Sequence, residues 1–331
     1  MRTLLSVAPG GPETLRIEEV PDPVPGTGDL LVRVRACSIN YPDALIIEDK
    51  YQLKPPRPFA PGSEIAGEVI GLGEGVVDWA PGDRVIAALG YGGLAEKALV
   101  PAARAFRLPP ERSFEEGSAL LLTYATASHA LADRGRLEAG QTLLVLGGGG
   151  GVGIAAVEIG KAMGACVIAA ASSEEKAAAA RAAGADQTLV YPAGPFDRDG
   201  LKQLSQLFKE AVGSAGADVI FDPVGGDYSE AALRGIAWEG RFLVVGFPAG
   251  IARLPLNLTL LKSCDVCGVF WGAFAAREPA RNAAHVEQLF RWWAQGRISP
   301  KISARFPLER AGEAIAALAE RRAVGKLVVL P

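Results

Sequence analysis

The stretch Leu143-Leu144-Val145-Leu146-Gly147-Gly148-Gly149-Gly150-Gly151-Val152-Gly153 decides how this chain is read. A short apolar run that breaks at glycine reads as a buried strand, and Ile154 to Met163 beyond it reads as a helix packed on most sides. Gly148, Gly150 and Gly153 fit the G-x-G-x-x-G spacing of a dinucleotide-binding turn. The first glycine permits the tight turn, the second lets backbone approach a pyrophosphate, and the third lets helix and strand pack closely. The helix amino end at Gly151 and Val152 then faces the phosphates. Glycine-rich turns also serve ordinary loops, and it is the placement after a strand and before a helix that points to a nucleotide.

Outward from this turn, strands alternate with helices, the pattern of a parallel sheet with crossovers. Strands are predicted at Thr142–Leu146, Cys166–Ala170, Gln187–Val190, Ala217–Phe221, Arg241–Val245 and Asp265–Phe270, with helices at Gly151–Met163, Glu174–Ala183, Leu201–Val212 and Tyr228–Ile236. Six such strands match a doubly wound α/β cofactor domain of the Rossmann type. Before Leu121 the signals are short strands and Pro/Gly turns: Leu31–Ala36 alternates apolar and charged residues, and Glu64–Ile70, Asp83–Ala88 and Ala95–Val100 follow. This predicts a β-rich domain of barrel or sandwich type. The tail after Trp271 offers helices near Asn282–Trp293 and Arg310–Arg321 and a strand at Lys326–Leu330, too little for a core of its own. The expected division is therefore 1–123 with 272–331, and 124–271.

The 331 residues suffice for two cores. An apolar fraction of 49% and a charged fraction of 21% are those of a globular protein. A net charge of -3 gives no reason to expect nucleic acid. No membrane span or secretory signal is visible, so the default expectation is cytoplasmic. Cys264 and Cys267 form a C-x-x-C pair without a second pair. On a strand, residues three apart face opposite ways, so they read as structural thiols and no metal is expected.

With these elements placed, the chain resembles the zinc-less NADPH:quinone oxidoreductase branch of the medium-chain dehydrogenase/reductase superfamily. The resemblance is carried by Ser38-Ile39-Asn40-Tyr41-Pro42-Asp43, Tyr51 to Pro56, Pro61 to Gly67 and Tyr124-Ala125-Thr126. The glycine run, Phe221 to Asp227 and Gly325-Lys326-Leu327-Val328 complete it in family order. It implies a GroES-like barrel for the β-rich catalytic domain, a cofactor in the cleft between the two domains, and a homodimer formed near Ala252 to Phe270. The apolar segment Leu254 to Leu261 is consistent with a covered edge. Zinc-dependent members place cysteine where this chain has Asn40 and histidine where it has Ser63. An amide and a hydroxyl are poor zinc ligands beside thiolate and imidazole.

The second strand ends in Ala171-Ser172-Ser173 without a carboxylate, which removes the main obstacle to a 2′-phosphate. Ser172 and Ser173 offer hydrogen bonds and Lys176 a charge, although Glu174 and Glu175 oppose it. NADPH is the expected cofactor, and the resemblance adds Tyr191, Val224 and Lys326 as contacts. Metal-free hydride transfer suits a quinone or conjugated carbonyl, in which the developing charge is spread. The polar candidates for the acceptor site are Asn40, Tyr41, Asp43 and Tyr51, with barrel-edge packing as the alternative. Thr126 is expected near the nicotinamide or as a helix cap. Gly246-Phe247 and Phe270-Trp271-Gly272 follow strands at the carboxyl edge, where they wall a ligand or pack in the core. His129 reads as structural and His285 as a solvated helix residue. Two other functions remain open on sequence alone: an enoyl or 2-alkenal reductase, perhaps acting on a thioester, and a non-catalytic NADPH-binding protein.

Overall fold

The computed structural model describes all 331 residues, and the chain divides into two units, 1–122 with 300–331 and 123–299. In the first, β1 (Arg2–Leu5) pairs with β2 (Arg16–Glu19), and β3 (Asp29–Ile39) is the spine of a seven-stranded sheet. Along β3, Leu30, Val32 and Val34 point into the core. Arg35, on the other face, reaches Glu68 at 2.8 Å. From Ala36 to Ile39 every residue is buried, so this end of the strand is covered on both faces. The helix α1 (Tyr41–Ile47) follows at once, and Pro42 in its first turn suits a position that needs no N–H. The sheet continues through β4 (Glu64–Leu72), β5 (Arg84–Ala88), β6 (Lys97–Pro101) and β7 (Ala105–Arg107), the last followed by helix α2 (Phe114–Ser118).

A helical path that sequence periodicity did not announce leads the chain into the second unit. Leu121–Ala125 and His129–Arg134 are π-helical around the short α3 (Thr126–Ser128). Six strands then form one parallel sheet: β8 (Thr142–Val145), β9 (Cys166–Ala171), β10 (Gln187–Val190), β11 (Ala217–Asp222), β12 (Ile236–Val244) and β13 (Asp265–Gly268). Their order is β10-β9-β8-β11-β12-β13, the doubly wound arrangement expected, with its switch point between β8 and β11. The connecting helices are α4 (Gly151–Ala162), α5 (Glu174–Ala182), α6 (Arg198–Val212), α7 (Asp227–Leu233) and α8 (Asn257–Lys262). Strand β12 begins at Ile236, five residues before the predicted start, because Ile236 pairs with Ala217 before the register shifts.

The tail departs from expectation. Helices α9 (Trp271–Arg277) and α10 (Pro279–Ala294) belong to the parallel-sheet unit, and the chain rejoins the first unit only at Pro300 rather than at 272. The reason is packing: Arg281 reaches Asp133 at 2.9 Å, His285 meets Ser128 at 3.2 Å, and Phe274 stacks on His129. Strand β14 (Ile302–Pro307), helix α11 (Ala311–Ala319) and β15 (Lys326–Leu330) then complete the first unit, with β15 antiparallel to β3 and parallel to β14. No helix is long and apolar enough to cross a membrane.

Candidate functional site

Each glycine of the turn after β8 has its own surroundings. A Cβ on Gly153 would lie 2.1 Å from the Gly147 carbonyl oxygen, so only glycine lets α4 close on the turn. A Cβ on Gly149 would sit 2.4 Å from the Lys176 Cβ and 2.7 Å from its Cα, which presses the turn against the first turn of α5. At Gly150 the nearest atom would be 3.5 Å away. The protein does not need that glycine for its own packing, as expected where a ligand must approach. Gly148 is tied to β9 by its N–H on the Ala170 carbonyl (2.9 Å), and no side chain caps α4, whose first residues Gly151 and Val152 are half-buried. A backbone cradle at an uncapped helix amino end is an anion site by construction.

Two flanks border this cradle. At the tip of β9, Ser172 is exposed, and Ser173 caps α5 by accepting from the Lys176 N–H at 3.3 Å. The Lys176 ammonium lies 3.5 Å from the Ser172 hydroxyl, so one hydroxyl and one cation share the tip. At the end of β11, the buried Asp222 accepts from the Val224 and Gly225 N–H groups at 2.8 and 2.9 Å and from the Ser229 hydroxyl. Burial pushes its carboxyl above the usual range, and these bonds oppose that shift. The arrangement holds Val224 over the turn, where a Cβ on Gly147 would meet its Cγ2 at 3.0 Å. Gly246 follows β12 on the same edge, Phe247 and Phe270 are 45% and 55% exposed, Gly272 is exposed, and Trp271 is buried.

Other expected contacts fall elsewhere. Tyr191 is 5% exposed and packs on Tyr228 with ring centroids 4.8 Å apart, which makes it a core aromatic. Thr126 is half-buried inside a helical path that starts at Leu121, so it is not a helix-start cap. His285 is not a solvated residue: its ring nitrogens lie 3.2 Å from the Ser128 hydroxyl and 3.4 Å from Asp133. His129 bonds the same Asp133 at 2.7 Å and stacks on Phe274. The cysteines are free thiols, Cys264 buried and Cys267 half-buried.

In the first unit, β3, α1, the start of β4 and β15 bring together a buried polar cluster. The Lys326 ammonium, 4% exposed, donates to Asn40 Oδ1 at 2.5 Å and lies 3.4 Å from Glu64 Oε2. Asn40 Nδ2 donates to Glu64 at 3.3 Å and to the Ser38 carbonyl at 3.2 Å. Glu64, fully buried, also accepts from the Ser38 hydroxyl and, through Oε1, from the Leu122 N–H. Asp43, equally buried, accepts from the Asn40 and Gly62 N–H groups at 2.7 and 3.1 Å and from the Ser63 hydroxyl at 3.2 Å. Burial pushes Asp43 up to about 6 and outweighs those bonds and the nearby ammonium, while Lys326 is pushed down by burial against the pull of Glu64 and Asp43. Cys37 below them is pushed well up, first by burial and then by the two carboxylates.

Asn40, Asp43 and Lys326 are therefore committed inward, and Tyr41 and Tyr51 are the half-buried hydroxyls of this segment. Tyr51 is pushed up by burial and then by Asp43, so it is a protonated donor at neutral pH. Sequence reading missed Glu64 and Glu158. Glu158 had a signal, a lone glutamate inside an apolar helix, whereas Glu64 opens a strand that carries a second glutamate at position 68. At Asn40, where zinc-dependent relatives carry a ligand, the Lys326 ammonium already holds the amide oxygen, and at the second such position the Ser63 hydroxyl donates to Asp43. No group of three or more His, Cys, Asp or Glu side chains is arranged to hold a metal ion.

Comparison with known proteins agrees with this architecture. Residues 26–110 match the model of the alcohol dehydrogenase GroES-like domain, and residues 151–287 match that of the zinc-binding dehydrogenase. Quinone oxidoreductase-like protein 2 of Rattus norvegicus is 36% identical over 96% of this chain and 89% of its own. A mycobacterial protein complexed with NADPH superposes with a TM-score of 0.92 at 29% identity, covering 100% of both chains. Escherichia coli quinone oxidoreductase complexed with NADPH gives 0.91 at 27% identity, again over 100% of both. Fold, ordered motifs and relatives together place the chain in the zinc-less quinone oxidoreductase branch of the medium-chain dehydrogenase/reductase superfamily.

Proposed function

We propose that this protein is an NADPH-dependent reductase that delivers hydride to quinones or related conjugated carbonyl acceptors without zinc. The observation that carries the reading is the Lys326 ammonium hydrogen-bonded to Asn40, with Ser63 turned to Asp43. The two positions that bind zinc in relatives are thus an amide and a hydroxyl already engaged with the protein's own charges, a set that does not fit the metal. The glycine cradle and the uncapped end of α4 do fit a dinucleotide pyrophosphate, and the two NADPH-complexed relatives support that choice.

When bound, the nicotinamide would supply the hydride. The chain's own groups bind and orient. Gly148 to Gly153 would hold the pyrophosphate, Ser172 and Lys176 would take the 2′-phosphate, and Asp222 fixes Val224 against the turn. Thr126, Gly246, Phe247, Phe270 and Gly272 would border the nicotinamide ring. Tyr41 and Tyr51 donate to the acceptor oxygen, and Asn40, Asp43 and Lys326 hold their segment in place. The protein works as a cytoplasmic homodimer, its partner covering β13 and the adjoining α8, where Val266 on the strand and Leu256, Leu260 and Leu261 at the helix are exposed.

The test is NADPH oxidation, with NADH as control, against a benzoquinone, a phenanthrenequinone, a 2-alkenal and a short enoyl thioester. Quinone turnover that prefers NADPH and survives a metal chelator is expected. Turnover with the enal or thioester alone refutes the quinone assignment, and tight NADPH binding without turnover refutes catalysis.

A further inference from the structure

Glu158 is the one acidic residue of the apolar helix α4, and it is 9% exposed. Its Oε2 accepts from the Tyr124 hydroxyl at 2.7 Å and from the Ser299 backbone N–H at 2.9 Å. Tyr124, 1% exposed, is the second residue of the second unit and Ser299 is its last. These two residues stand where the chain enters that unit and where it leaves. They are far apart in sequence, and a single carboxylate oxygen joins them.

We propose that Glu158 is a positioning residue that clasps both crossover segments to the helix of the glycine turn, and that its charge sets how firmly they are held. An ionised carboxylate makes bonds roughly twice as strong as a neutral acceptor does. Burial pushes Glu158 up to about 7, against the two bonds that favour its charged form, so the clasp changes strength across neutral pH. Tyr124 is the titratable group against it. Burial and Glu158 raise its phenol well above the ordinary value, so it stays a donor throughout. Charged groups on adjoining elements are engaged elsewhere: Lys161 with Asp186 at 2.7 Å, Arg297 with the Ala162 carbonyl, and His285 with Ser128 and Asp133. The inference depends on geometry inside the second unit and not on the reaction proposed above.

Hydrogen exchange at the Ser299 amide, corrected for intrinsic rates, tests it on the whole protein from pH 5.5 to 8.5. Protection is expected to rise on the order of tenfold with a midpoint near 7, and to stay flat in Glu158→Gln, which keeps the shape of the protonated side chain. Equal pH dependence in both proteins, or none in the unaltered one, overturns the proposal. Should the Gln variant not fold, carbon-13 titration of the Glu158 carboxyl decides. A midpoint near 7 that moves upward in Tyr124→Phe supports the clasp. A midpoint in the ordinary carboxylate range, or one unmoved by that substitution, refutes it.

Discussion

Replacing Lys326 by methionine keeps most of the side-chain volume and removes only the ammonium. In the structure that ammonium satisfies Asn40 Oδ1 at 2.5 Å and stands 3.4 Å from Glu64, in a site where the three residues are 4%, 4% and 0% exposed. Glu64 would keep the Ser38 hydroxyl and the Leu122 N–H but lose its counter-charge. Breaking a buried pair by removing one partner costs about 3–5 kcal/mol, chiefly because a charge is left uncompensated. The orphaned Asn40 carbonyl falls within the same event, so the sum is about 4 kcal/mol rather than the two costs added. Against a total stability of about 5–15 kcal/mol this is a large loss. Urea unfolding followed by circular dichroism reads it as a lower midpoint at unchanged slope. The double variant Glu64→Gln with Lys326→Met removes both charges and should recover at least half of the loss. A single variant within about 1 kcal/mol of the unaltered protein, or a double variant no more stable than the single, would refute the idea of a charge-compensated cluster.

Two further outcomes are expected. Gly153→Ala drives a Cβ into the Gly147 carbonyl and should lower the urea midpoint, whereas Gly150→Ala meets no protein atom closer than 3.5 Å and should leave the midpoint unchanged while weakening NADPH binding. Lys176→Ala should weaken NADPH roughly tenfold and leave NADH unaffected in fluorescence titrations, since a charged hydrogen bond contributes about 1.5–3 kcal/mol and this one is partly exposed. Equal loss for both cofactors would remove Lys176 from the 2′-phosphate site.

The parallel sheet was legible because most of its strands are short apolar runs, β8 ending at the glycine turn, a pattern that local chemistry alone produces. Strand β14 was not. Its residues alternate between half-buried and exposed along Ile302–Pro307, with no apolar run to announce it. The tail was misdivided because Trp271 and Trp293 say that a helix is buried but not against which core. In the site, the segment around Asn40 was readable as a polar cluster. Its inward orientation was not, because that depends on Lys326, 286 residues away, and on Glu64. Tyr191 was read from a strand tip, yet its ring is held by Tyr228 and Phe208 from other elements.

The contact between Gly149 and Lys176 has a consequence for how cofactor preference can evolve. The glycine leans on the Cα, the Cβ and the carbonyl of residue 176, atoms that almost any amino acid there would present. Position 149 is thus locked while position 176 can change its chemistry from the Cγ outward. A lineage or an engineer can exchange the charge at 176 and the hydroxyl at 172 without rebuilding the turn, whereas the Ser173 hydroxyl also caps α5. If residues 172 and 176 take the 2′-phosphate as proposed, selectivity is interchangeable here and the cradle is not.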